Sequence, residues 1–137
     1  MNAIQIQHVQ DSFRLVAPIA DEAAALFYSR LFELDPELRK LFTADPREQG
    51  RKLMTMIGVA VRGLGNLAAL APAVQNLGRR HAGYGVKPEH YAIVGSALLW
   101  TLEQGLGNTF SAELKAAWTE AYAHLAGIMQ EAAAVPA

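Results

Sequence analysis

Apolar residues recur every three to four positions along almost the entire chain, and runs that alternate apolar with polar residues are nearly absent. Val9, Phe13 and Val16 show this spacing near the start, and Leu114, Trp118 and Ala121 show it near the end. It is the spacing of one face of an α-helix. Alanine, the strongest helix former, is abundant. The sequence therefore predicts an all-α fold of roughly seven or eight helices.

Prolines and glycines mark where these helices end. Pro18, Asp35-Pro36, Gly65-Asn66 and Pro88 fall between the apolar patterns, so each predicts a break or a restart. Pro72 lies inside a pattern and predicts a kink or two short helices. The predicted helices cover about residues 4–16, 19–34, 47–64, 88–106 and 111–134. A short helix is predicted with Leu38, Leu41 and Phe42, and the apolar spacing continues from Leu67 to Leu77. Their unequal lengths favour steeply crossing helices over a regular bundle.

Length and composition exclude several classes of protein. The 137 residues predict one domain, residues 1–137. The absence of cysteine excludes disulfides, thiolate metal sites, iron–sulfur clusters and covalently tethered haem. A net charge of −1 favours neither nucleic acid nor membrane as a partner. Without a signal peptide or a long apolar span, the expected location is the cytoplasm.

One of the four histidines stands out by its context. His8, His90 and His124 have the settings of ordinary surface or helix-edge residues. His81 follows Leu70, Val74 and Leu77 at helical spacing, so it lies on an apolar helix face. A buried imidazole needs partners for both ring nitrogens, and a metal ion or a hydrogen bond would serve. From the residues alone, a structural core histidine and an iron ligand both remain open.

The surrounding residues resemble the globin family, and within it the bacterial single-domain globins related to the haem domains of flavohaemoglobins. The similar segments are, in order, Leu26-Phe27-Tyr28, Asp35-Pro36, Leu41-Phe42, Gln49, Arg51 to Met54, Arg79-Arg80-His81 and His90-Tyr91. The order and spacing of these segments extend over nearly the whole chain. The resemblance implies a globin-like fold around a pocket for non-covalently bound haem b.

The resemblance also implies roles for single residues. His81 resembles the proximal iron ligand, and Tyr28 and Gln49 resemble the residues on the distal side, where gases bind. Residues expected to contact the haem are Phe42, Leu53, Val86, Tyr91 and Val94. Each has a plainer interpretation: Tyr28 as a core tyrosine bonded to a backbone carbonyl, Gln49 as a solvated residue at a helix start, and the apolar residues as ordinary core.

The function that the resemblance implies is reversible binding of O2, and also of NO and CO, as in oxygen transport. The alternative is a nitric oxide dioxygenase. Because the sequence shows no flavin or nicotinamide site, this activity is expected to need an external reductase. A sensor would need a separate output partner. The family's glutamate on the last helix falls near Ala132 or Ala133, with Glu131 out of register, so a peroxidase is disfavoured.

Overall fold

The computed structural model describes residues 1–42 and 45–134, and these residues form helices and connecting turns without a β-strand. The prediction of an all-α fold is confirmed. Within the described ranges the α-helices are α1 (Ala3–Val16), α2 (Ala20–Leu34), α3 (Pro46–Arg62), α4 (Leu67–Gly83), α5 (Pro88–Leu106) and α6 (Ala112–Ala134). Short 3-10 helices cover Ala17–Ile19, Pro36–Leu41, Gly63–Asn66 and Gly107–Thr109.

Short polar side chains cap the N-terminal ends of several of these helices. The side chains of Asn2, Asp45 and Asn66 accept hydrogen bonds from backbone N–H groups in the first turns of α1, α3 and α4. Ser111 does the same for the N–H of Leu114. These bonds satisfy donors that have no partner within the helix. The helix starts predicted from polar and proline residues therefore have a local cause.

Pro72 does not divide α4 into two helices, which was one of the two alternatives predicted from the sequence. The helix runs without interruption from Leu67 to Gly83, so the alternative of two short helices is wrong. Pro72 is exposed and lies in the second turn, where it removes only the hydrogen bond to the carbonyl of Ala68, another exposed residue. Leu70 and Val74 on either side of it are buried. Their packing holds the helix together across the proline.

Close approaches at glycine bring the helices together. A Cβ atom added at Gly78 of α4 would lie 2.6 Å from the Cα of Met129 on α6. A Cβ at Gly50 of α3 would lie 3.0 Å from the Cβ of Ala24 on α2. At Gly78 the neighbour is backbone that cannot easily give way, so only glycine permits this approach. The absence of a side chain at Gly78 thus sets how closely α4, which carries His81, packs on α6.

Many of the buried side chains of the described residues fall into two clusters. The larger one contains Trp118 and draws on α1, α2, α3, α5 and α6. The Nε1–H of Trp118 donates a 2.9 Å hydrogen bond to the Oγ of Ser12. The hydroxyl of Ser12 in turn donates to the carbonyl of Val9. The smaller cluster is centred on Phe27, Leu31, Leu38 and Ala97. Half-buried apolar residues pack against the smaller cluster, and several of the predicted site residues are among them.

One helical run, Pro46–Gly83, is long and apolar enough to cross a membrane by length and composition. The core helices of water-soluble proteins also pass this test. The run is not one regular helix, because the 3-10 turn Gly63–Asn66 separates α3 from α4. In addition, α3 packs on α2 and α4 packs on α6.

Candidate functional site

His81 lies near the C-terminal end of α4 with its side chain half-buried. Its Nδ1 is 2.8 Å from the carbonyl oxygen of Leu77, one turn earlier on the same helix. A carbonyl oxygen can only accept a hydrogen bond, so Nδ1 carries the proton. The lone pair of the neutral ring is therefore on Nε2, for which no hydrogen bond to a described residue is found.

The environment of His81 favours this neutral form. Burial lowers the pKa of the imidazole from its usual 6.5, the hydrogen bond to Leu77 partly opposes that change, and the charge of Arg80 lowers the pKa further. A neutral imidazole with its second nitrogen held by a carbonyl is the arrangement that metal-ligating histidines adopt. The residues around His81 thus fit an iron ligand.

A haem iron needs little else from the protein. Among the described residues, no group of three or more His, Cys, Asp and Glu side chains gathers in a way that could hold a metal ion. A porphyrin brings four nitrogen ligands of its own, so one imidazole is sufficient for it. The donor set therefore agrees with haem better than with a bare metal ion.

An apolar wall contains several of the predicted contact residues. Tyr28, Phe42, Leu53 and Val94 come from α2, the turn after Pro36–Leu41, α3 and α5, and all four pack on the smaller buried cluster. Tyr28 and Phe42 meet edge to face, with ring centroids 5.3 Å apart. All four are only partly buried. They pack against the buried cluster and leave part of their apolar surface outside it.

The hydroxyl of Tyr28 is weakly held. It donates to the backbone carbonyl of Gln49 over 3.4 Å, well beyond the roughly 2.7–2.8 Å usual for a hydroxyl donor. Burial raises the pKa of Tyr28 to about 12, so the phenol keeps its proton at neutral pH. The carbonyl partner matches the plainer interpretation of this residue. The length of the bond leaves the hydroxyl available to a better acceptor.

Gln49 and Leu53 lie four residues apart on α3 and share a face of the helix. Both are half-buried. Leu53 also borders a small apolar cavity of about 20 Å³ in the core, next to Phe27 and Leu98. The carboxamide of Gln49 follows the N-terminal turn of α3, which Asp45 caps. This cap fixes where α3 begins and so where Gln49 stands relative to Tyr28.

Val86 is tied to the histidine through the backbone. Its N–H donates a 3.0 Å hydrogen bond to the carbonyl of His81. Gly85, at φ 93°, takes the left-handed conformation that turns the chain between these two residues. Val86 itself is half-buried. The turn therefore keeps Val86 beside the end of α4.

Tyr91 is buried, and its backbone carbonyl accepts a 2.7 Å hydrogen bond from the hydroxyl of Tyr122 on α6. The ring of Tyr122 lies over Gly95, where a Cβ would come within 2.8 Å of it. Burial raises the pKa of both phenols, most strongly that of Tyr122. Tyr122 was missed by the sequence reasoning. The only signal was its place four residues after Trp118, which core packing explains equally well.

The site residues thus fall into three groups. The apolar wall unites Tyr28, Phe42, Leu53 and Val94, and Gln49 joins it through its carbonyl. His81 and Val86 form a second group. The hydrogen bonds found at Tyr91 in the described chain run to Tyr122, and none joins it to His81. On α6, Glu131 is exposed and Ala132 is buried, so the carboxylate nearest in sequence to the expected position faces solvent.

The comparisons with known proteins give one consistent family. The model of the family described as Globin matches residues 25–129. Neuroglobin of Tetraodon nigroviridis is 40% identical over 111 residues, which are 71% of this chain and 70% of that protein. A solved structure of an engineered carbene transferase, made from a candidate nitric oxide dioxygenase of Rhodothermus marinus, superimposes with a TM-score of 0.88 at 30% identity. The superposition covers 98% of this chain and 94% of the carbene transferase.

Flavohemoproteins are a second group of relatives. The protein from Xylella fastidiosa strain Temecula1 is 32% identical over 130 residues, which cover 93% of this chain. They cover only 32% of the flavohemoprotein. The chain therefore spans about a third of the length of these relatives.

Proposed function

The chain belongs to the globin family, and from this premise we propose that it binds haem b non-covalently through Nε2 of His81 and binds O2 reversibly. NO and CO are expected to bind at the same place. The observation that carries the proposal is the hydrogen bond from Nδ1 of His81 to Leu77. It directs the lone pair of a neutral, half-buried imidazole away from the helix. The proposal includes a cytoplasmic location.

Bound haem would supply a ferrous iron that takes up a diatomic gas. The chain's own contribution on the proximal side is His81, held in one tautomer by Leu77. The carbonyl also makes the ring a stronger donor, because it accepts the proton on the opposite nitrogen. Phe42, Leu53 and Val94 would exclude water from the porphyrin faces. Haem contact by Val86 and Tyr91 is part of the same proposal.

On the distal side, Tyr28 and Gln49 would hold the gas. The phenol of Tyr28 stays protonated, because its pKa is about 12, so it can donate a hydrogen bond to bound O2. Its present bond to the carbonyl of Gln49 is long and costs little to give up. A hydrogen bond to a strongly polar acceptor contributes roughly 1.5–3 kcal/mol. Such a bond would slow the release of O2.

The optical spectrum of the purified protein tests the proposal. We expect a Soret band in the wild type after expression with haem supply or after reconstitution. His81→Ala should remove the spectrum of a histidine-ligated haem, and free imidazole should restore it. His8→Ala, at an exposed position on α1, should leave the spectrum unchanged. A wild type that never takes up haem, or a His81→Ala protein with an unaltered spectrum, would contradict the proposal.

The second candidate function is a nitric oxide dioxygenase. The similarity to the Rhodothermus marinus protein at 30% identity favours it. In this reaction NO, O2 and one electron give nitrate, so an external donor would have to supply one electron in each cycle. Steady consumption of NO in the presence of O2, NADH and a separate reductase would support this function. Consumption of one NO per haem, with no further turnover under those conditions, would rule it out.

A further inference from the structure

The charges of this chain are divided unevenly. Residues 39–87 contain nine Lys and Arg residues and two acidic residues, whereas the remainder contains three basic and eleven acidic residues. The net charge of −1 therefore conceals a segment of +7 and a remainder of −8. All nine basic residues of the segment are exposed. The segment contributes α3, α4 and the turn before α5, which carry Gln49, Leu53, His81 and Val86.

One part of this segment has the features of a contact surface. Arg79, Arg80 and Lys87 surround Tyr84 in the sequence, and no acidic residue falls between residues 79 and 87. Tyr84 is a large aromatic side chain that is 70% exposed. None of the ion pairs among the described residues involves these three basic side chains. We name these four residues the Tyr84 patch.

The Tyr84 patch is rigidly joined to the histidine. The N–H of Tyr84 donates to the carbonyls of both Arg80 and His81, each over 3.1 Å. The N–H of Gly85 donates to the carbonyl of Ala82 over 3.1 Å. A molecule that docks on this patch therefore comes next to the residue proposed to hold the iron.

We propose that the Tyr84 patch is the docking surface for an electron-carrier protein with an acidic surface. The inference rests on the proposed haem function, because it is the ferric iron that would be reduced. One electron leaves the reduced carrier, which is oxidised by one electron, and the iron becomes ferrous. An exposed tyrosine with exposed basic residues within five positions along the chain has the composition of a protein interface, in which Tyr and Arg are enriched and charge guides the encounter.

The kinetics of reduction test the patch. The probe is a fully reduced flavodoxin, an acidic flavoprotein, mixed with the ferric haem-loaded protein in a stopped-flow instrument at about 10 mM ionic strength, where charges act over about 30 Å. Arg79→Glu/Lys87→Glu should slow the reduction at least about tenfold. The wild-type rate should fall steeply as salt is raised. Reduction by the small reagent dithionite should not differ between the proteins.

Matched variants separate the patch from overall charge. Arg14→Glu/Lys115→Glu makes the same change in net charge at two exposed positions outside the basic segment, and should slow the reduction clearly less than Arg79→Glu/Lys87→Glu does. Tyr84→Ala should weaken the binding of flavodoxin, measured by titration calorimetry. Ile4→Ala, at a residue that is 68% exposed on α1, should not. Equal effects of the two double variants, or no effect of either, would overturn the proposal.

The experiments distinguish failure of the proposed haem function from failure of the docking surface alone. If the wild type takes up no haem, the proposed function itself fails. If it takes up haem through His81 but its reduction is insensitive to the patch variants, only the docking surface fails. Binding to phosphatidylserine vesicles that is lost in Arg79→Glu/Lys87→Glu, together with patch-independent reduction, would also overturn the proposal. That result would assign the patch to a lipid surface.

Discussion

The Nδ1–H of His81 donates a 2.8 Å hydrogen bond to the carbonyl of Leu77, one turn earlier on α4. This contact fixes the tautomer of the ring and leaves Nε2 as its basic nitrogen. The carbonyl belongs to the helix on which His81 stands, so the orientation depends on local helix geometry. The position of the whole helix depends instead on its contact with α6 at Gly78.

The burial of His81 predicts a pH dependence of the haem-free protein. Its pKa is lowered below 6.5 in the folded state, so the unfolded chain takes up a proton first as the pH falls. The contribution of the neutral His81 to the free energy of unfolding is fully present above about pH 6.5. It is lost as the pH falls through the lowered pKa of the folded state. We expect the free energy of unfolding, measured by urea titration, to fall less between pH about 7.5 and pH about 5.5 in His81→Gln than in the wild type.

The exposed His8 supplies the control for this experiment. His8→Gln should keep the wild-type difference between the two pH values. If His81→Gln lost as much stability on acidification as His8→Gln, the buried neutral imidazole would not be the cause.

The weakly held hydroxyl of Tyr28 predicts a change in gas release. Tyr28→Phe removes a donor that we expect to contribute about 1.5–3 kcal/mol to holding O2, which corresponds to a roughly 10- to 150-fold faster dissociation. The measurement is flash photolysis or stopped-flow displacement of O2 by CO. Tyr122→Phe, at a tyrosine that bonds to the carbonyl of Tyr91 instead, should leave the rate within about twofold. An unchanged rate in Tyr28→Phe would remove this residue from the distal side.

Two glycines of α4 provide a matched test of helix packing. A methyl group at Gly78 would collide with the backbone of Met129, whereas Gly83 has open space around it. We expect Gly78→Ala to lower the free energy of unfolding by about 1–3 kcal/mol. The variant should also retain haem less well, because α4 must move to make room for the methyl group. Gly83→Ala should be neutral within about 0.5 kcal/mol. Equal stability of the two variants in urea titrations would show that α4 and α6 can separate freely.

The buried hydrogen bond between Trp118 and Ser12 predicts a third effect on stability. Ser12→Ala leaves the indole N–H of Trp118 without its 2.9 Å partner in a setting where both residues are buried. An unpaired buried donor costs about 1–3 kcal/mol. The exposed Ser96 on α5 is the control, and Ser96→Ala should change the unfolding free energy by less than about 0.5 kcal/mol. Similar values for the two variants would mean that water replaces the lost partner.

The features that were predicted correctly from the sequence are those that local geometry specifies. The helical fold follows from apolar spacing, and the start of α6 from Ser111 before Leu114. The same spacing placed His81 on the apolar face of its helix. At Pro72 the alternative of two short helices is wrong, because the burial of Leu70 and Val74 outweighs the loss of one hydrogen bond in an early turn.

By itself, the sequence determined that the chain is helical and that one imidazole stands on an apolar helix face. Both depend on residues three or four positions apart, which any helix brings together. Only the tertiary structure decided which groups meet across the chain: Tyr28 with the carbonyl of Gln49, Tyr122 with that of Tyr91, and Gly78 with Met129. These pairs are 21 to 51 residues apart. Contacts at such separations depend on how closely whole helices pack, which local spacing does not encode.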